Sequence, residues 1–374
     1  SFSYKKDLRL IETNNIEFSL AKFIEDNPRE HYFIFHNTTD SIAHLIKRLK
    51  MEDESAVFCA NDSMERLKGN DFKNIYKDLA PFKKFNFFTS RFFSAVDIDF
   101  PKDPTIIMLT DLHFAEHSTI DPLSEAVQIV GRFRDLEDFK PQKEIVHITN
   151  LNPDTLIHSE EQILEDIKRG IEIHKFLKRH LLGATTRSAV KCLNDLLKRL
   201  ETTLAITPDS RINHYLKDNK LFEEKVKSYY LSAEALITAY SKSRHFNVWH
   251  QKEEYTFSDK ERIKLLNESS LKIKTIYEVL MPLLAELSKL KLIDPHKAEM
   301  ERLALKERFP KQINELEEIG LDEAERLKFN VFAIREAINK KRFNHEVSNF
   351  EFIDYLHNHF KIGEVYTSKE MKAI

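Results

Sequence analysis

The sequence predicts an α/β protein, with a parallel sheet flanked by helices over residues 1–150 and a mostly α-helical region over 151–374. Three observations carry this reading. Short apolar runs rich in β-branched and aromatic residues recur through the first 150 residues, each closing on a polar cap and followed by helical spacing. From about residue 155 these runs give way to long amphipathic stretches. Six glycines and 11 prolines, against 32% charged residues, leave few turn formers and favour helix.

Taken in order, His31 to His36 reads as a strand closed by Asn37, Thr38, Thr39 and Asp40, and Ser41 to Leu49 as the helix it feeds. Ala56 to Ala60 is a second strand, ending in Asn61, Asp62 and Ser63 before the helical Met64 to Leu67. Phe85 to Thr89 is a third, followed by Ser90 to Ile98; Thr105 to Thr110 is a fourth and Glu144 to Thr149 a fifth. Strands of this kind alternating with helices form a parallel sheet covered on both faces. The polar, Pro-containing Thr149 to Asp154 reads as the linker.

Beyond it, Leu156 to Leu182 predicts a long helix broken at Gly183, Thr185 to Leu204 a second and Ser210 to Ser243 a third. His245 to Phe257 alternates as a strand or extended arm, and Ser258 to Glu261 caps the next helix. There Ile273, Ile276, Leu280, Leu283, Leu287 and Leu290 make an apolar seam, read as one packed within its own bundle rather than as a dimeric coiled coil. Pro295 and Pro310 punctuate further helices, with Asp322 to Lys341 and Phe350 to Phe360 the clearest. No internal repeat or low-complexity tract is present.

The formal charge of -3 neither demands nor excludes nucleic acid, because a basic groove can sit inside a near-neutral average. Cys59 and Cys192 are far apart and show no metal-ligand spacing, which argues against a disulfide framework or a structural zinc and for a reduced, cytoplasmic setting. No apolar run approaches the roughly 18 to 20 residues that span a bilayer. The absence of an initiator Met, and a last stretch from Tyr366 that resembles a helix just begun, suggest a fragment of a longer polypeptide.

Parallel sheets take ligands off the carboxyl ends of their strands, which makes Thr38, Asn61, Thr89, Ser90 and Asp97 the first candidates. Further along, Gln128-Ile129-Val130-Gly131-Arg132-Phe133-Arg134 sets two arginines beside a glycine. The planar, permanently charged guanidinium matches phosphate oxygens, and Gly lets a ligand come near the backbone.

These pieces, in this order, resemble the second RecA-like domain of superfamily 2 helicases and translocases: a strand ending in Asn/Thr before a helix, Thr89-Ser90 with Val96-Asp97-Ile98 close behind, then Q-x-x-G-R-x-R. They match that family's motifs IV, V and VI over roughly residues 25 to 150. The resemblance implies that Thr38, Thr89 and Ser90 contact a nucleic-acid backbone, that Asp97 and Gly131 lie beside the nucleotide, and that Gln128, Arg132 and Arg134 belong to the catalytic set. An arginine finger from this set would face the γ-phosphate of ATP. The family commonly has Gly where Ala95 stands and spaces its arginines three apart, whereas here Asp135 fills that place; the finger is therefore either Arg132 or Arg134.

No G-x-x-x-x-G-K-[ST] loop and no D-E-x-H or D-E-x-D box occurs. The resemblance thus implies ATP and Mg held mainly by a missing N-terminal RecA-like lobe, and little ATPase activity in this chain alone. The expected function is a share in an ATP-dependent helicase or translocase, acting on DNA in preference to RNA. The alternatives are a non-catalytic protein-interaction subunit on a degenerate motor fold and an unrelated α/β enzyme with its pocket at the strand ends.

Each candidate also has a plain reading. Thr89 and Ser90 suit a helix cap, and Asp97 suits a partner for Arg91. His113 and His117, four apart, have metal-site spacing but no third ligand. Cys59 fits a buried apolar position, and Phe85, Phe87, Phe88, Phe92 and Phe93 fit a core. The basic clusters His174 to His180 and Asn339 to Phe343 suit a solvated helix face or phosphate contacts.

Overall fold

The computed structural model describes residues 5–68, 72–79, 81–94, 96–134, 141–266, 273–347, 350–361, 363–368 and 370–371. Ala95 and Asp135, which carry the departures from the family pattern, lie outside the described residues, as does part of the closing run from Tyr366; the side chains of Ile273 and Phe343 lie outside them too.

The chain divides into two compact units, Ser1–Glu254 and Tyr255–Ile374. The first is built on eight parallel strands: β1 (Lys6–Thr13), β2 (Tyr32–Phe35), β3 (Ser55–Phe58), β4 (Ile75–Tyr76), β5 (Phe85–Phe88), β6 (Thr105–Thr110), β7 (Glu144–Thr149) and β8 (Phe246–Glu253). Their order across the sheet is β4-β3-β5-β2-β6-β7-β1-β8. The helices of this unit are α1 (Ile16–Asp26), α2 (Thr39–Arg48), α3 (Asn61–Lys68), α4 (Arg91–Ser94), α5 (Glu125–Gly131), α6 (Glu160–Leu182), α7 (Arg187–Thr203), α8 (His214–Tyr229) and α9 (Ala233–Ser243).

Strands β2, β3, β5, β6 and β7 are largely apolar because helices cover both sheet faces, with Asn86 and His147 among the buried polar exceptions. Alternate residues supply two separate cores. Phe33 and Phe35 join Phe58, Phe88, Phe92 and Phe133 on one face, whereas Tyr32 and Ile34 join Phe85, Phe87, Ile42 and Leu20 on the other. Each such fully buried side chain contributes about 1.5 to 3 kcal/mol relative to exposure.

The division does not fall at residue 150. Helices α8 and α9 place Val226, Tyr230, Leu236 and Tyr240 in the first core, and β8 pairs along its whole length with β1. Strand β1 is itself internal, between β7 and the edge strand β8, and its mixed polar and apolar sequence does not announce this. The stretch expected as one helix over Ser210 to Ser243 is two, because Ser232 caps a new start by accepting from the Ala235 N–H.

The second unit is helical: α10 (Asp259–Leu266), α11 (Ile273–Leu290), α12 (Pro295–Arg308), α13 (Pro310–Ile319), α14 (Leu321–Arg326), α15 (Val331–Val347) and α16 (Phe350–His359). Pro295 and Pro310 occupy first-turn positions, where a missing N–H costs nothing. The seam of α11 is core, with Leu280, Leu283 and Leu287 buried. The helix expected over Asp322 to Lys341 is interrupted after Arg326, where Lys328 and Phe329 take positive φ. Among the described residues, no helix is long and apolar enough to cross a membrane.

Candidate functional site

The segment after β5 and the end of α5 meet. The backbone N–H of Ile98 donates to the Arg132 carbonyl at 2.7 Å, and Ile98 bridges Phe133 in parallel register. Phe133 anchors the junction, its ring 4.9 Å edge-on from Phe33 and 6.4 Å from Phe35. Phe133 is turned into the core, while Arg132 before it ends α5 in the αR conformation and Arg134 after it is exposed.

Both arginines converge on one acid. Arg132 Nη1 lies 3.2 Å and Arg134 Nε 3.1 Å from Asp97 Oδ1. Arg132 is the better fixed, its side chain only 16% exposed. Its Nε donates to the Gln128 carbonyl and its Nη1 also to the Ser94 carbonyl, both at 3.1 Å. Three donor contacts thus aim this guanidinium, and its Nη2 end is left to take another acceptor. Arg134, 54% exposed, is held by Asp97 alone among the described residues. Among the described residues, two cations share this one half-exposed carboxylate, a surplus of positive charge suited to an anion.

Gly131 is not required by its surroundings, since a Cβ there would meet nothing within 4 Å and its φ is not positive. The Gln128 side chain is exposed, and only its carbonyl serves the cluster.

The other candidates stand at the carboxyl ends of the strands, and Asp97 is not among them. Thr38 follows β2 and is 6% exposed, its hydroxyl 3.0 Å from His36 Nε2. Because His36 Nδ1 lies 2.7 Å from the Leu109 carbonyl and must donate to it, Nε2 is the acceptor and Thr38 the donor. Thr89 likewise turns its hydroxyl inward, donating to the Phe58 carbonyl at 3.3 Å. Ser90 is exposed. Neither Thr89 nor Ser90 caps α4 through its side chain; their carbonyls accept from Phe92 and Phe93. Asp97 does not pair with Arg91, which lies 3.7 Å from Asp78. Helix α4 is the link, with Thr89 and Ser90 before it and the Ser94 carbonyl bound to Arg132 behind it.

Comparison with known proteins adds no identity here. No family model, curated protein or solved structure matches the chain.

Sequence reasoning missed a buried polar group at the strand ends. Asn150 Nδ2 donates to Asp111 Oδ1 at 2.8 Å and Asn150 Oδ1 accepts from the Leu112 N–H, while the Asp111 N–H donates to Ser118 Oγ. Asp111 and Asn150 each directly follow an apolar run, the same signal that marked Thr38 and Thr89. His113 and His117 do not share a helix: the chain turns at Leu112–Phe114, and a short 3-10 turn covers Glu116–Ser118. Cys59, Phe92 and Phe93 are core residues, and burial pushes the Cys59 thiol up to about 11. Among the described residues no group of three or more His, Cys, Asp or Glu could hold a metal ion.

Proposed function

We propose that the first unit is the second RecA-like lobe of a superfamily 2 helicase or translocase, acting on nucleic acid, DNA in preference to RNA. What supports the reading is the convergence of Arg132 and Arg134 on Asp97 across the Ile98–Phe133 bridge. The pieces that resemble motifs V and VI are 31 residues apart, from Asp97 to Gln128, yet they form one surface cluster. Asp97 holds the two guanidinium groups side by side, and with Asp97 and Arg134 half-exposed the Asp97–Arg134 contact would cost little to exchange for one to a phosphate.

On this reading ATP supplies the phosphoryl group whose transfer drives closure of two lobes. The residues of this chain suit the phosphate end of that nucleotide and not the metal: Arg132 and Arg134 offer free donors, whereas no acidic cluster for Mg stands among the described residues. The P-loop and metal ligands are assigned to a first lobe preceding this chain. Thr89 and Ser90, on the same segment as Asp97, would carry the grip on the strand, and Thr38 would add to it. Since Thr38 and Thr89 spend their hydroxyls internally, Ser90 and the local backbone are the better contacts.

The test is nucleic-acid-stimulated ATP hydrolysis by the full natural polypeptide containing this chain, comparing wild type with Arg132→Ala and Arg134→Ala. Arg132, the better fixed, is expected to be the finger, with turnover falling on the order of a thousandfold while nucleic-acid binding is kept. Undiminished turnover in both variants would remove the finger. If the polypeptide shows no such hydrolysis even with its first lobe, the reading as a non-catalytic interaction subunit takes its place.

A further inference from the structure

Helices α6 and α7 form a hairpin whose chemistry the ATP cluster does not use. They are antiparallel: His174 Nε2 lies 3.2 Å from Glu201 Oε1, Gly170 faces Leu204, and the connection is the short turn Gly183–Thr186. A Cβ on Gly170 would come within 2.6 Å of Leu204 Cδ1, so the small residue sets how closely the helices pack. Around the turn, residues 173–194 contain Lys175, Lys178, Arg179, Arg187 and Lys191 and no aspartate or glutamate. All five cations are exposed. Among the described residues only Lys178 of these has a hydrogen-bond partner, the Pro208 carbonyl, and none of the five is ion-paired.

The faces matter as much as the count. On α6 the buried stripe is Ile163, Ile167, Gly170 and His174, and on α7 it runs through Leu197. Turning about 100° per residue from these stripes puts Lys175 and Arg179 on one flank of α6 and Arg187 and Lys191 on the matching flank of the antiparallel α7. The four charges thus share one side of the hairpin. Thr185 and Ser188, both exposed at the turn, add small hydroxyl donors.

We propose that this face is a docking surface for the phosphate backbone of a nucleic acid, separate from the Arg132 and Arg134 cluster. The proposal rests on the motor reading for its choice of partner and extends it by assigning a second grip, which needs no nucleotide. A membrane surface fits less well, because the exposed Ile173 falls on the opposite flank of α6, and on the cationic side the exposed Phe176 and Leu182 stand apart, one on the outer face and one at the turn. The other basic cluster does not offer the same free charge, since Arg342 is held by both oxygens of Glu318 and Lys341 donates to the Glu318 carbonyl.

The experiment is fluorescence anisotropy of a labelled, mixed-sequence single-stranded DNA with this chain, without nucleotide, over a salt series. The four-site variant Lys175→Ala, Arg179→Ala, Arg187→Ala, Lys191→Ala is compared with a charge-matched one, Lys77→Ala, Lys225→Ala, Lys289→Ala, Lys311→Ala. Each phosphate contact adds about 0.7 to the slope of log affinity against log salt on a single strand, so the hairpin variant should lose up to roughly 3 in slope. The charge-matched variant should lose little. Equal losses in the two variants, or an unchanged slope in the first, overturn the proposal, as does binding of the wild type to phosphatidylserine vesicles but not to DNA. None of these outcomes touches the Arg132 hydrolysis test, so the two readings fail separately.

Discussion

Acidification should weaken the first unit through one buried histidine, and the size of the effect can be worked out. His147 sits in β7, fully buried, with Tyr240 Oη 2.8 Å from its Nδ1 and Thr110 Oγ1 3.1 Å from its Nε2. The Thr110 hydroxyl donates to the Ser118 carbonyl, so its oxygen accepts from Nε2–H, and Tyr240 O–H donates to Nδ1. A proton added at Nδ1 would displace the Tyr240 bond and bury a charge without a counter-ion. Burial accordingly pushes the imidazole down from 6.5 to about 3. Because the folded pKa lies below the unfolded one, the stability contribution is fully present above about pH 6.5 and is lost as pH falls from there toward 3. Between pH 7 and pH 5 the unfolded imidazole goes from about a quarter protonated to almost fully protonated while the folded one stays neutral, a loss of about 2 kcal/mol from this residue. The assay is urea unfolding at both pH values, followed by Trp249 fluorescence, which reports on the first unit. His147→Gln, which can still donate to Thr110 and accept from Tyr240, should remove about 2 kcal/mol of the pH-dependent difference whatever its own cost at pH 7. If wild type and His147→Gln lose the same stability between the two pH values, the reasoning is wrong.

Two further outcomes follow from the packing. Phe133→Ala should cost about 3 to 5 kcal/mol in unfolding free energy, since its ring fills space against Phe33 and Phe35; a loss under about 1 kcal/mol would mean the junction is not anchored there. The two thiols should separate kinetically under a thiol-reactive disulfide. Cys192 is exposed and should react in the native protein, while Cys59, buried with its pKa near 11, should react only on unfolding. Rapid native release of two equivalents would contradict the placement of Cys59.

Some of this was legible along the chain. The strands β2, β3, β5, β6 and β7 are short, mostly apolar runs with polar ends, and such runs announce themselves because a strand covered on both faces tolerates few polar side chains, each of which, like Asn86 or His147, needs a buried partner. Where burial is lopsided the signal fades. Arg9 and Glu12 in β1 find partners across the strand in Gln251 and His250, and β8, at the sheet edge, carries the exposed Trp249. Their polar residues are satisfied by each other, a pairing between segments more than 230 residues apart that no local pattern encodes. That pairing is also what carries the first unit past residue 150.

The candidate site divides along the same line. The sequence by itself determined that Arg132 and Arg134 stand close together beside a glycine, and that Thr38, Thr89 and Ser90 follow strands. It could not tell that Asp97 leaves the strand ends to lie under the arginines, nor that the Thr38 and Thr89 hydroxyls turn inward. Those facts depend on which helix packs on which face of the sheet, and so on the Ile98–Phe133 bridge and the fit of Phe133 against Phe33. Residue type and spacing fix what a side chain can do, but its partners are set by long-range packing, which only the tertiary structure decides.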